Sequence, residues 1–440
     1  MFLESTISDI ENYPFLNPFR FENDPSKKYW HISTLESLLE ENWNSIEEGV
    51  TENREYLAAR EKIFSSSVFQ YFTDQKNRII QESLETDNSF QILGAYTCLL
   101  DSIVQTAFDY SFIDIPLIKE RLVEELNHEL NYKQKNLPEK KEKLKLLKEQ
   151  ILEMEKNLES GSSSSREYRY FQEVESQHES ETRILEERIE ELQQLIPQIQ
   201  KFTNDKNFVL NHLVIFARGG YGRAELGLSS DRDLGYCLDT NRLNNGEAEM
   251  LRQLIVHIEN LLRNSGVETA HQYFEIDEDL SRFDEVNTLH TIPSILESRV
   301  LLGSESLATN LKNRFFQVIT FEPYVLNLVR SFSESKEPEL NRMDLKMDYG
   351  GLRSLQIPLW ITAATFGIFP SQTADLLAFL IQKHLLSHRQ ALKLCQALEF
   401  LHDLRNFSAV AKEHYFDDEA RDIGCCLLYT SPSPRDGHQS

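Results

Sequence analysis

The sequence predicts an α+β protein that is predominantly helical overall. It combines a small mixed sheet, a C-terminal all-helical region and an inserted antiparallel coiled-coil hairpin. Three observations predict this. Strand-like apolar runs cluster between residues 208 and 276, heptad-like seams flank a serine-rich turn at 160–165, and nearly everything after about residue 285 reads as helical.

Residues 1–115 read as an N-terminal helical region with mixed loops. Its most apolar stretch, FQILGAYTCLLDSIVQTAFDY (90–110), is expected to be buried, with 90–115 packing on the core. Residues 116–205 are rich in Glu, Lys, Leu and Gln. Leu144, Leu147, Ile151, Met154 and Leu158 recur at alternating three- and four-residue steps, as do Leu185, Ile189, Leu192, Ile196 and Ile199. That is the a/d seam of a coiled coil. The polar SGSSSS turn lets the chain double back, and Pro197 is expected to kink or end the second arm. Such a hairpin serves as a spacer, a means of self-association or an arm that docks a partner.

The core is expected at 206–280. FVLNHLVIFARGG (208–220) is a β-rich run ending in two glycines, and LGYCLDT (234–240) is a second strand. GEAEMLRQLIVHIENLLRNSG (246–266) has helical periodicity with Gly266 as its stop. VETAHQYFEI (267–276) alternates like a third strand. Residues 281–420 form the helical region that closes the cleft, and IPLWITAATFGIF (357–369) within it suits a buried helix better than a membrane span. Residues 421–440 match nothing before them. They read as an extraneous tail, translated adapter or vector sequence, so the natural C-terminus is expected to be missing.

With 440 residues the chain has room for two or three domains. Its formal net charge of −25 argues against a surface built to hold nucleic-acid backbones, so DNA is not an expected partner, nor is a membrane. A nucleotide in a locally electropositive pocket remains compatible with that charge. The start, MFLESTISDIENYP, lacks a basic region followed by a long apolar run, so no signal peptide is expected. Cys98, Cys237, Cys395, Cys425 and Cys426 fit neither a disulfide framework nor zinc-ligand spacing, and a reducing cytoplasm is the expected location.

The chemistry concentrates in FARGGYGRAELGLSSDRDLGYCLD (216–239). A glycine pair alone is a weak signal and Asp-x-Asp is commonplace in turns. A strand, a glycine pair, a short connection and then Asp-x-Asp entering a second strand is far less common. Side chains two apart on a strand lie on one face, with backbones about 7 Å apart. Asp231 and Asp233 are therefore expected to converge as catalytic and metal-binding residues, with Arg232 pointing away. Magnesium takes a few carboxylates plus phosphate oxygens and water, and two such ions would clamp attacking and leaving oxygens. Gly219 and Gly220 let backbone N–H groups approach a triphosphate closely. Ser229 or Ser230 can add a hydroxyl contact, and Arg218 or Arg223 a charge-assisted one.

GGYGRAELGLSSDRDL resembles the signature of the nucleotidyltransferase domain of PII-protein uridylyltransferases and their relatives, including the DUF294 family, within the polymerase-β type. That pattern is Gly-Gly-x-Gly-Arg-x-Glu followed by Ser-Asp-x-Asp-Leu. The matching residues are Gly219, Gly220, Gly222, Arg223, Glu225, Ser230, Asp231, Asp233 and Leu234. Downstream, ILESRVLLGS (295–304) is similar to the family helix Glu-x-Arg-x-Leu-x-Gly. DLKMDYGGLRSLQ (344–356) is similar to Lys…Gly-Gly-Leu-Arg-Asp, and FLHDLRN (400–406) to Phe-Leu-x-x-Leu-Arg. LLDSIVQTAFDY (99–110) is similar to the helix before the family core. By themselves Lys346 and Arg353 suit an ordinary turn as well as a phosphate contact; the resemblance favours a place lining the cleft.

The resemblance implies transfer of a nucleoside monophosphate from a nucleoside triphosphate to an acceptor, with release of pyrophosphate. The acceptor it implies is a protein hydroxyl, with a PII-type regulator as nearest precedent. Ser354 stands where the family has Asp, and HQYFEID (271–277) stands where relatives end a strand in Arg-Thr. A third carboxylate has no clear holder, Glu268 and Glu275 being the candidates. No metal-binding hydrolase domain or paired regulatory small-molecule domains are read in the given residues, so deuridylylation and glutamine sensing are not carried over, and the expected loss of the natural C-terminus leaves open whether such domains belong to the protein. The alternatives are a non-catalytic nucleotide-binding regulator and a scaffold organised by the hairpin. His384 and His388, four apart on a helix as read here, have zinc-compatible spacing but no third ligand, and Cys237 reads as core.

Overall fold

The computed structural model describes residues 53–85, 89–159, 165–276, 291–318, 321–333, 344–346, 348–368 and 372–415, with 35, 37–39 and 42. The 421–440 stretch, with Cys425 and Cys426, and all but the last residue of the serine-rich turn lie outside the described residues.

Helices α1 (Asn53–Glu85) and α2 (Ser89–Ile113) come first. The apolar run on α2 is buried as its composition demands, through Tyr96, Leu99, Leu100, Ile103, Val104, Ala107 and Phe108. It packs in one hydrophobic cluster with α1 and part of the sheet. Two polar ties reinforce the contact. Arg299 donates to both oxygens of Asp101 at 2.8 and 3.1 Å, and Arg232 donates to the Tyr96 hydroxyl at 2.9 Å.

Helices α3 (Ile115–Glu159) and α4 (Ser165–Gln200) run antiparallel. The ion pairs Glu129–Arg188, Lys140–Glu181 and Lys148–Glu179, at 3.1, 2.5 and 2.9 Å, step in opposite directions along the two helices. Ile151, Ile189, Leu192, Ile196 and Ile199 are buried. Pro197 neither ends the second helix nor breaks it: α4 continues to Gln200. So near the end, the missing N–H removes a hydrogen bond only from the last turns.

FVLNH does not extend the first strand. Asp205 accepts from the backbone N–H groups of Asn207 and Phe208, capping α5 (Lys206–His212), and β1 starts only at Leu213 (Leu213–Ala217). A single turn, α6 (Gly219–Gly222), leads on towards β2 (Asp233–Leu238). Helix α7 (Asn245–Asn264) opens with a reciprocal capping box between Asn244 and Glu247, and Gly266 lies just beyond its end. Strand β3 (Ala270–Glu275) follows.

After α8 (Thr291–Leu296) comes β4 (Arg299–Gly303), in the segment read as a helix from sequence. The apolar residues of ILESRVLLGS divide: Ile295 and Leu296 close α8, and Val300, Leu301 and Leu302 cover the open edge of β1. The four strands take the order β3-β2-β1-β4, with β2–β3 parallel and both pairings of β1 antiparallel. The sheet is mixed, as expected, but draws its last strand from beyond residue 280.

The remaining described elements are helices: α9 (Glu305–Val318), α10 (Phe321–Ser333), α11 (Leu352–Phe366), α12 (Thr373–Gln382) and α13 (His388–Tyr415). The apolar 357–369 run supplies buried Ile357, Leu359, Trp360, Ala363 and Ala364 to α11. No described helix is long and apolar enough to cross a membrane. His384 lies in the turn after α12 with φ of 57° and His388 opens α13, so they do not share a helix face. Cys237 is fully buried on β2.

Candidate functional site

The turn between β1 and β2 faces the beginning of α11 and the middle of α13 across a cavity of about 330 Å³. Gly219, Gly220, Arg223, Ser230, Asp231, Asp233, Lys346 and Arg353 all line it. Gly219 and Arg353, 134 positions apart in the chain, meet there because the start of α11 lies across the cavity from the turn.

Asp233 is the first residue of β2, and Arg218 N–H donates to its carbonyl at 2.9 Å, closing the β1–β2 turn. Asp231 lies ahead of the strand rather than within it, yet lines the same cavity. Its side chain is 72% exposed against 32% for Asp233. Arg232 points the other way, as the alternation requires, to Tyr96 and to the Phe72 ring at 5.4 Å. Burial lifts the Asp233 carboxyl above its ordinary value; Arg218 opposes this and the charge of Asp231 adds to it.

Gly219 has φ of +55°, and a Cβ there would sit 3.4 Å from Asp233 Oδ2. The carboxylate thus stands at ordinary contact distance from the place a side chain on residue 219 would take, and the first amides of α6 have no helical carbonyl ahead of them to bind. Gly222 is needed for another reason. A Cβ on it would lie 2.8 Å from the carbonyls of both Ala217 and Glu297.

The side chains expected to meet phosphate differ in their freedom. Arg223 is buried between Glu225 and Glu297, at 2.7 Å from each. Burial works against its charge, but the two carboxylates outweigh that and hold it above its ordinary value. Trp360 Nε1 donates to Glu297 at 2.8 Å, and Thr373 donates to Glu225. Arg223 is therefore the centre of a strut between the sheet turn, α8 and the helical region. The Ser230 hydroxyl accepts from Gly227 N–H at 3.2 Å and shapes the loop before Asp231, while Asn406 of α13 accepts from Leu228 N–H at 3.1 Å. Lys346 Nζ lies 3.6 Å from Asp231. Arg353 donates to Gln356 at 2.9 Å and lies over the Trp360 ring, with its Nε buried and unbonded. Ser354, standing where the resembled motif has Asp, accepts from Gly350 N–H at 2.9 Å and closes the turn before α11.

Neither Glu268 nor Glu275 lines the cavity. Glu275 is held by Arg252 and Tyr273, and the carbonyl of Glu268 accepts from Arg232. The β3 residue that does line it is Gln272, paired with Gly235 on the face of Asp233, and it accepts from Arg218 at 2.6 Å. Among the described residues no group of three His, Cys, Asp or Glu side chains is placed to hold a metal. Asp231 and Asp233 still offer hard oxygens at one opening, a donor set that magnesium completes with water and phosphate.

Sequence reasoning missed Arg405, Gln272, Gln356 and Trp360 as cavity residues. Arg405 stood within a motif singled out for its resemblance. Gln272 had a signal too, the alternation of β3, had the strand's parallel register been known.

Residues 330–414 match the family described as GlnD PII-uridylyltransferase. Three curated relatives are each named a bifunctional uridylyltransferase/uridylyl-removing enzyme. That of Zymomonas mobilis is 29% identical over 165 residues, covering 36% of this chain and 17% of the relative. That of Ectopseudomonas mendocina is 30% identical over 206 residues, 44% of this chain and 21% of the relative. That of Pseudomonas fluorescens is 28% identical over 245 residues, 52% of this chain and 25% of the relative. The matched part of the chain thus spans about a quarter or less of the length of these relatives.

Proposed function

We propose, on the premise that this chain is a relative of the PII-uridylyltransferase-like nucleotidyltransferases, that it transfers a nucleoside monophosphate to an acceptor hydroxyl. The observation that carries the proposal is that Gly219, with no side chain to fill the space beside the Asp233 carboxylate, lines one cavity with Asp233, Asp231, Lys346 and Arg353. A nucleoside triphosphate is the donor and, by kinship, a protein of PII type the acceptor.

In the proposed step an oxygen of the acceptor hydroxyl bonds to the α-phosphorus. The bridge to the β-phosphate breaks, its electron pair leaves with pyrophosphate, and the acceptor proton passes to solvent. The glycine pair lets backbone amides face the phosphates, and Lys346 and Arg353 offset their charge. Arg218, anchored by the carbonyl of Leu234 and by Gln272, fixes a positive group beside Asp233. Asp231 and Asp233 would hold magnesium, which when bound supplies charge neutralisation at the α-phosphorus. With two carboxylates present, a second ion would draw its ligands mainly from the triphosphate. Rate enhancement rests mostly on positioning and charge.

A second reading, a nucleotide-binding regulator without turnover, is favoured by one observation: β3 offers Gln272 to the cavity where a third carboxylate was sought. One experiment separates the two. The full chain is incubated with each of the four α-labelled ribonucleoside triphosphates, magnesium and a bacterial lysate containing PII-type protein. Label in a macromolecule with wild type, and none with Asp231→Asn/Asp233→Asn, supports transfer. Triphosphate binding without incorporation supports the regulator and sinks the enzyme.

A further inference from the structure

Four arginines and one lysine line the cavity, and three of the five are already engaged. Arg218 donates to the carbonyl of Leu234 and to Gln272, Arg223 is held between Glu225 and Glu297, and Lys346 faces Asp231. The other two are Arg353 of α11 and Arg405 of α13. Neither has a carboxylate within ion-pairing distance among the described residues. Arg353 reaches only the amide oxygen of Gln356 and the face of Trp360, and its Nε is buried without a partner.

The pair is electrostatically unsatisfied. Burial, then the charge of Arg223 and also that of Arg405, brings Arg353 down to about 10 against the more distant attraction of Glu297 and Asp233. Burial holds Arg405 below its ordinary value as well, against the attraction of Asp231 and Asp344. Like charges taken out of water without a counter-ion destabilise the fold that holds them, unless an anion arrives. A guanidinium is a planar fork that suits phosphate oxygens two at a time.

Resting on the nucleotidyl-transfer reading, we infer that Arg353 and Arg405 together clamp the terminal phosphates of the triphosphate, and then the departing pyrophosphate. The polyphosphate tail is thereby held by the helical region, not by Arg223 of the glycine turn. Charge growing on the leaving group as the bridge breaks falls on two fixed guanidinium groups. Because α11 and α13 carry the clamp while the sheet carries the carboxylates, the ligand also ties the two halves of the cavity together.

The test uses magnesium-free inorganic tripolyphosphate, which has no nucleoside and nothing to transfer. Calorimetric titration of the full chain is expected to show binding that weakens about 10-fold or more in Arg405→Ala and in Arg353→Ala. Arg405→Lys should retain part of the affinity, and Arg223→Lys serves as the comparison outside the clamp. Asp231→Asn/Asp233→Asn should bind at least as tightly as wild type, since it loses negative charge at the cavity. Thermal unfolding of each variant shows that it is folded. No binding by wild type, or unchanged binding by folded Arg405→Ala, overturns the clamp. Loss of nucleotidyl transfer with an intact, Arg405-dependent tripolyphosphate affinity would overturn the transfer reading and leave the clamp standing.

Discussion

At the scale of single residues, Asp233 sets function against stability. Burial lifts its carboxyl, so the folded chain holds that proton more tightly than the unfolded chain does. Ionisation therefore begins to weaken the fold as pH rises above the unfolded carboxylate range, about 3.9, and the full penalty is present above the raised value. Asp233→Asn is expected to raise the melting temperature of the ligand-free chain at pH 7, with the gain shrinking as the pH falls through the raised value and gone below about pH 4. It should lower transfer by about 100-fold or more. A lower melting temperature at pH 7 would contradict this view of the carboxyl. Ala224 makes a second case. It holds φ of 59° while buried, a region that side chains branched at Cβ strongly resist. Ala224→Val should cost about 2–3 kcal/mol in urea unfolding, whereas Ala224→Gly is tolerated. The meeting of Asp231, Asp233 and the glycine pair at one cavity was legible in the sequence, because a short connection between β1 and β2 holds them close, although Asp231 precedes the strand that was expected to carry it. The engagement of Arg223 by Glu225 and Glu297 was not, since Glu297 lies 74 residues away and only tertiary packing brings it in.

At the scale of elements, the strut through Arg223 joins four pieces of chain. Glu297, after α8, accepts from Arg223 and from Trp360 of α11, while Glu225 accepts from Arg223 and from Thr373 of α12. Removing one member of such a buried pair leaves an uncompensated charge, so Glu297→Ala should cost about 3–5 kcal/mol. Glu297→Gln, which keeps an acceptor for Trp360, should cost less. The midpoint of urea unfolding reads both, and a change under about 1 kcal/mol for Glu297→Ala would show that the strut carries little. The same segment explains the main error in reading the elements. Five residues of β4 are too few to show alternation, and their strand character comes from the open edge of β1 rather than from their own sequence. The start of β1 was misread for a local reason, the cap made by Asp205. Helix α7 and strands β2 and β3 were legible, since their patterns were long enough or followed a clear stop.

At the scale of the whole molecule, the long helical pair is set apart from the cavity. Its base joins the body through Ile115, Ile118, Leu122, Ile199 and Phe202, all buried in the main cluster. Farther out, the two helices hold mainly each other, through ion pairs such as Lys140–Glu181 and Lys148–Glu179 whose side chains are 37–60% exposed. Exposed pairs of that kind contribute little, of order 0–1 kcal/mol each. Replacing residues 131–186 with a short Gly/Ser link should change the stability of the body by no more than about 1 kcal/mol and leave transfer intact. Loss of transfer in that variant would mean that the arm presents the acceptor. With an overall charge of −25, the chain still gathers four arginines and a lysine around one cavity, which shows how an acidic chain can offer an anion site. That clustering depends on α11 and α13 folding over the sheet, which no local pattern reveals. The most direct measurement of the central claim compares uridine triphosphate labelled at the α-phosphate with the same nucleotide labelled at the γ-phosphate, using wild-type chain, magnesium and a PII-type protein. The account predicts acceptor labelling from the α-labelled nucleotide only, abolished by Asp231→Asn/Asp233→Asn; labelling from the γ-phosphate, or labelling that survives the double substitution, would contradict it.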